Sequence, residues 1–415
     1  MTKRFVTALS ATAAVVGALL PMTSDAMPVF ARQTGKTCLT CHFQNFPILN
    51  AYGQEFKAGG YTDMGGKLPE IKGPDLSLPG VLNSTLIGKF RYVTTNETPS
   101  TVEHNIPDEF SLLMGGRAAA NVGFMVEASL VSGTTQALAG FKMPVTVYKT
   151  DGGTRFGVVP FATGGIGAGF GFELLNTGAV ANVRVFEHGF ATSAQQFVVG
   201  EYAAWGLSAT ASNADFFANF SRWTPNYGYG NSGAPTANYL RAAWTGSLMG
   251  FESGAGVQMS SGTFADATNV TQDAKFTALD FQAQGSVAGM PLGIWASWAS
   301  APKTDVAGGG KTNYFNAGAV DKSALAVSAQ LGLFSHAAVK AGFVSGSTDD
   351  GTGQAAADNA VTLGVNYHLA QNLGLVAEHT HFTRNNGAIS CAAAGCGGKN
   401  NGGSARTTLM LETAF

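Results

Sequence analysis

The 415-residue sequence predicts an all-β fold, a transmembrane antiparallel β-barrel of about sixteen strands preceded by a small α-helical N-terminal domain. Three observations carry this. From about residue 83 onward, apolar and polar residues alternate with the period of two that a strand imposes. Val361, Leu363, Val365 and Tyr367 share one face, and Thr362, Gly364, Asn366 and His368 the other. Very short turns, such as Ala370-Gln371-Asn372, alternate with long loops rich in glycine and asparagine, such as 384–404. Finally, the chain ends on Thr407, Leu409, Leu411, Thr413 and Phe415, an alternating strand with a terminal aromatic like the insertion signal of bacterial outer-membrane proteins.

Composition agrees. Charged residues are 12% of the chain, against roughly 25% in soluble domains. The 24 basic and 26 acidic residues nearly balance, and no lysine or arginine run forms an electrostatic footprint, which excludes nucleic acid as a partner.

Residues 1–26 read as an export signal. Lys3 and Arg4 start it, Val6 to Leu20 form the apolar stretch, and Ser24-Asp25-Ala26 offers small residues for cleavage. The apolar stretch is shorter than the ~20 residues of a spanning helix. The later run from Val158 to Leu175 is broken by Pro160 and five glycines, so membrane insertion falls to strands. Export also implies an oxidising compartment for the two cysteine pairs, Cys38/Cys41 and Cys391/Cys396.

Residues 27–80 form the second unit and 81–415 the barrel. The first of these has only about 50 residues, too few to bury a sufficient core, so it needs a staple such as a covalent cofactor. Cys38-Leu39-Thr40-Cys41-His42 supplies the means. Cys-x-x-Cys-His is the attachment motif of c-type haem: two thioethers reach the vinyl groups and the histidine coordinates iron. Zinc would need a fourth ligand that the neighbourhood lacks, and a thioredoxin-type pair would need a βαβ context. One covalent haem c is therefore expected, with His42 as the axial ligand.

The stretch from Ala26 to Gly35 (Ala-Met-Pro-Val-Phe-Ala-Arg-Gln-Thr-Gly), the motif Cys38 to His42, then Phe46-Pro47-x-Leu49 and Gly53-x-x-Phe56-Lys57, resembles the fused monohaem cytochrome–porin iron oxidases of iron-oxidising bacteria. The resemblance covers roughly residues 26 to 61 closely and the remainder in architecture only. It implies a haem domain plugging the barrel lumen, oxidation of extracellular ferrous iron, and transfer of the electron across the outer membrane to a periplasmic c-type cytochrome. Exchange with another donor or acceptor, or a haem-plugged diffusion porin, are the alternatives.

Phe30, Phe43, Phe46, Tyr52 and Phe56 are expected to pack the haem, and equally are the only core available to so small a domain. Arg32, Gln33 and Lys57 would compensate propionates or seat the plug. Met64 is the only methionine or histidine between His42 and the first strand, and a His/Met pair favours a high potential. His104 on the barrel, or an open or water-ligated site, are alternatives for the distal position. His379 and His381 share a strand face, and Cys391 and Cys396 enclose a short external loop suited to a disulfide. Lys89, Arg91, Glu378, Arg384, Arg406 and Glu412 fall on polar faces and are expected to line the lumen.

Overall fold

A computed structural model describes residues 28–65, 70–74, 76–80, 83–96, 102–131, 138–163, 185–187, 191–200, 204–225, 233–265, 269–304, 311–334, 336–370, 372–384 and 404–415. The export signal and Cys391 and Cys396 lie outside the described residues. Among the described residues there are three short α-helices: α1 (Pro28–Thr34), α2 (Ala51–Ala58) and α3 (Ala194–Val199). None is long and apolar enough to cross a membrane.

The dominant element is a closed antiparallel barrel. Its strands are β1 (Ser84–Thr95), β2 (Val102–Ala119), β3 (Val122–Ser129), β4 (Leu138–Lys142 continued by Val145–Lys149), β5 (Arg155–Thr163), β6 (Ala204–Ser212), β7 (Phe216–Pro225), β8 (Ala237–Leu248), β9 (Phe251–Ser261), β10 (Phe276–Val287), β11 (Met290–Ala301), β12 (Lys322–Phe334), β13 (Ala337–Asp349), β14 (Ala355–Ala370), β15 (Leu373–Arg384) and β16 (Ala405–Ala414). The two segments of β4 pair with the same neighbours, β3 and β5, and are interrupted at Met143-Pro144, where proline cannot donate to the ladder. The count is therefore sixteen. Closure is made by β16 on β1, where Phe415 and Leu86 exchange backbone hydrogen bonds of 3.0 and 2.8 Å.

The period of two reads directly onto the wall. On β12, Leu325 and Val327 are exposed on the outer surface while Ala324, Ala326, Ser328 and Gln330 point inward and are buried. On β14, Val361, Leu363 and Val365 face out and Thr362 and Asn366 face in. Outward apolar residues meet lipid without needing a protein partner, which is why exposure here is stabilising. The turns at one end are short. Met249-Gly250 and Ala288-Gly289 each place two consecutive residues at positive φ, as a tight two-residue hairpin with the right twist demands. The connections at the other end are mostly longer, and both barrel termini, Ser84 and Ala414, lie at the short-turn end.

The lumen is filled in layers. At the short-turn end sits the helical segment 28–65. At the long-loop end, inward alanines such as Ala278, Ala299, Ala324, Ala326 and Ala360 leave room for aromatic side chains. Phe264, Tyr314 and Phe315 from loops pack there with Trp223, Tyr239 and Phe276 of the wall, with ring centroids 4.9 to 6.4 Å apart. The polar inward face expected from sequence is thus replaced by small apolar residues near this end. Between the two layers lies a belt of buried polar groups. Arg241 makes a bidentate pair with Asp280, Lys340 pairs with Glu378 at 2.8 Å, and Lys89 with Glu109 at 2.9 Å.

Candidate functional site

Residues 38–42 begin as a single 3₁₀ turn, Cys38–Thr40. The backbone N–H groups of Cys41 and His42 both donate to Cys38 O, at 3.0 and 2.9 Å, so the two thiols and the imidazole project from one tight coil. Asn50 ties this coil to α2. As N-cap its side chain accepts from Gly53 N at 2.9 Å, while its amide donates to Leu39 O and Thr40 O at 3.1 Å, and its backbone N–H donates to Cys41 O at 3.0 Å. Gly53 faces the same carbonyl so closely that an added Cβ would lie 2.1 Å from it.

His42 Nδ1 lies 3.2 Å from Ile48 O. A carbonyl oxygen only accepts, so in this bond Nδ1 carries the proton and Nε2 keeps its lone pair. Burial lowers the His42 pKa to about 4, against partial compensation by the Ile48 and Pro47 carbonyls, so the ring is neutral at ordinary pH. Burial also pushes the Cys41 thiol up to about 11, away from the depressed values of reactive Cys-x-x-Cys pairs. Nearby Lys36 opposes that shift and Asp63 adds to it.

These residues fit a covalently attached haem on the chemistry of the donors: two cysteines on one turn, Cys41 kept as a thiol by burial, beside a neutral, tautomer-fixed imidazole with Nε2 available. Cys38, Cys41 and His42 would hold the group. Among the described residues no cluster of three His, Cys, Asp or Glu side chains offers a metal cage.

The aromatic residues separate into groups. Phe46 meets the His42 ring edge-on, with centroids 5.5 Å apart. Phe30 and Phe56 instead form a triad with Tyr61, at 4.9 to 5.7 Å, and Phe30 continues into a cluster with Val29 and the wall residues Ile87 and Leu113. Phe43 packs on the wall residue Trp295 at 6.3 Å. Tyr52 donates its hydroxyl to Asp63 at 2.6 Å and lies under Lys36 Nζ. That bond, with one from Gly65 N, holds the Asp63 carboxyl below its usual range despite partial burial.

Arg32 and Gln33 contact the barrel. Arg32 donates to Ser84 O. Gln33, fully buried, donates to Tyr61 O and Asp63 O at 2.6 and 2.8 Å, and its carbonyl accepts from Arg117 N and from the Asn83 amide. Lys57 is buried. Across the lumen, Gln44 and Asn45 are gripped by Gln330, and Gln284 donates to Leu49 O at 2.9 Å. The segment is therefore anchored on opposite walls, β1–β3 and β10–β12.

Met64 is buried within this segment, directly after Asp63. His104 is not brought near: it is exposed and pairs with Tyr92, eight residues beyond Ser84, or about 26 Å up the strand at ~3.3 Å per residue. His379 and His381 face outward, and His379 Nδ1 pairs with Thr407 Oγ1 at 2.9 Å. Lys89, Arg91, Glu378 and Glu412 do face the lumen, and Arg91 pairs with Asp108 and Glu187 at 3.0 and 2.8 Å. Arg384 differs, being exposed at the loop end of β15.

Sequence reasoning missed the Ile48 carbonyl, the Asn50 cap, the Gln44/Asn45 grip and the loop residues Val185 to Glu187. Only Asn50 carried a legible signal, as a capping residue directly ahead of a helix.

No protein-family profile and no curated protein matches the chain. Solved structures with the same fold include the outer-membrane-expressed OmpT of Vibrio cholerae, 11% identical over 84% of this chain and 100% of that one, with a TM-score of 0.50. A second is Pseudomonas putida OprB, 11% identical over 80% of this chain and 94% of that one, also at 0.50. The chain has the closed sixteen-strand fold of outer-membrane porins.

Proposed function

We propose that this chain is an outer-membrane c-type cytochrome that exchanges electrons across the membrane, with extracellular ferrous iron as donor and a periplasmic c-type cytochrome as acceptor. The observation that carries the reading is the Cys38–Cys41–His42 coil seated inside a barrel, with His42 neutral and its Nδ1 committed to Ile48 O. When bound, the haem supplies one-electron chemistry. Each ferrous ion would leave as ferric ion and the periplasmic acceptor would take up the electron released, so donor and acceptor balance one for one. The protein fixes the tautomer of His42, buries it from water, and anchors the coil near the short turns, the periplasmic end in barrels of this class. In this role the chain would act as a ferrous-iron:cytochrome c oxidoreductase located in the bacterial outer membrane among its lipids.

A second reading, a diffusion porin carrying the helical segment as a plug, is favoured by the porin fold. Against it stands the burial of lumen-facing charged side chains that the plug does not cover, Arg241 paired with Asp280 and Lys340 paired with Glu378, which an aqueous channel would leave wet. Two measurements separate the readings. Anaerobic addition of ferrous iron to purified oxidised protein should sharpen the haem bands to their reduced form, and planar bilayers should show no porin-sized steps. Absence of reduction, together with large conductance steps, would establish the porin reading instead.

A further inference from the structure

The connection between β5 and β6 leaves the loop end of the barrel, yet two described parts of it lie inside the lumen. Residues 191–200, which include α3, belong to the aromatic layer. The segment Val185-Phe186-Glu187 reaches deeper and is clamped by the wall. Lys340 Nζ donates to Val185 O at 2.9 Å and to Glu378 at 2.8 Å, and stands 4.8 Å over the Phe186 ring. Glu187 N donates to both oxygens of Glu378, at 3.0 and 3.1 Å, and its carboxylate accepts from Arg91 at 2.8 Å. A loop passing through by chance would not be held by four charge-assisted bonds.

Its apolar side chains have one destination. Val185 and Phe186, 3% and 2% exposed, form a single buried cluster with Trp295 and Ile48, against which Phe43 packs. Phe43 is the residue after His42, and Ile48 is the residue whose carbonyl accepts from His42 Nδ1. The Phe43 N–H also donates to Ile48 O, at 2.9 Å. The cluster thus packs against the side chains of both residues that frame the imidazole.

We infer that Phe186, held by the Lys340–Glu378 clamp, is a positioning residue for His42: it fixes Ile48 and, through its carbonyl, the tautomer and orientation of the ring. The inference rests on the haem reading, because an ordered Nε2 matters only if iron is bound there. The hydrogen-bonded partner of a ligating histidine makes it a stronger donor, so loosening Ile48 weakens the ligand and destabilises the oxidised state.

The test uses full-length protein purified with its haem. Covalent haem per chain is measured first by mass. In Phe186→Ala the haem content should equal wild type, the His42 Nδ1 proton should exchange with solvent about tenfold faster, and the midpoint potential should rise. Phe186→Leu should restore most of both. Phe197→Ala, in the aromatic layer away from Ile48, should move neither. Unchanged exchange and potential in loaded Phe186→Ala would overturn the inference, as would equal shifts in Phe197→Ala. If Phe186→Ala fails to fold, Val185→Ala decides by the same two readouts. A wild-type chain without covalent haem would defeat the haem reading itself, a failure that the mass measurement separates from the others.

Discussion

Gly53→Ala should uncouple the cysteine coil from α2, and its sign is decided by magnitude. In a helix interior alanine is favoured over glycine by about 1 kcal/mol. Opposing this, the new Cβ would lie 2.1 Å from Cys41 O and 3.0 Å from Cys41 C, both backbone atoms. The carbonyl cannot simply turn away, since it accepts from Asn50 N at 3.0 Å. Restoring ordinary contact needs a shift of more than 1 Å, and overpacking of this kind costs about 1–3 kcal/mol or more. The clash therefore offsets the helix gain and leaves a net loss of up to about 2 kcal/mol, enough to lower the folded-to-unfolded ratio of a marginal domain by up to roughly 30-fold. The assay is covalent haem per polypeptide, with protease resistance of segment 28–65 as a haem-independent readout. Gly374→Ala, where an added Cβ meets nothing within 4 Å, is the control. A Gly53→Ala protein with full haem load and wild-type protease resistance would refute the close-approach argument.

His42→Ala should abolish normal ligation, and Cys38→Ser or Cys41→Ser should each lower covalent loading, read from pyridine haemochrome spectra; an unaltered spectrum in His42→Ala would reject the ligand assignment. Gly123→Ala would put a Cβ 1.7 Å from Gly60 O, so it should unseat the helical segment from β3 and expose residues 28–65 to protease while leaving the barrel's heat-resistant mobility on gels intact. In haem-free protein, the depressed pKa of His42 means that the unfolded segment binds the extra proton first. The contribution of His42 is present above about pH 6.5 and is lost as pH falls toward about 4. Protease resistance of the haem-free segment should decline over that window, and His42→Gln should flatten the decline.

The barrel was legible because its signal is local. A wall residue faces lipid or lumen according to parity alone, so Leu325, Val327 and Leu363 report their orientation without knowledge of any partner. The count of sixteen followed from the same repeat. What fills the lumen was not legible, because it depends on contacts between residues hundreds of positions apart, such as Asn45 with Gln330 and Phe43 with Trp295. Parity also fails to separate an inward alanine facing an aromatic layer from one facing water, so the cluster around Ala324 and Ala326 was invisible. At the site, Cys-x-x-Cys-His announced itself by spacing, whereas the partner of His42 Nδ1 is a backbone carbonyl, and carbonyls leave no trace in residue identity. Gln33 was read as a contact of propionates or of the plug, but not as a group joining Tyr61, Asp63 and Arg117 at once.

The seam of the barrel has a consequence for assembly. Leu86 closes on Phe415, and the two residues before it, Thr85 and Ser84, receive Val29 N and the Arg32 guanidinium of the helical segment. The C-terminal strand of the barrel therefore pairs with the edge that carries the helical segment at its base. A barrel whose N-terminal segment is still unfolded presents that edge frayed, and closing on it forfeits the bonds at Ser84 and Thr85. Seam and segment thus share the base of one strand, and only a barrel closed over a seated segment keeps both sets of bonds.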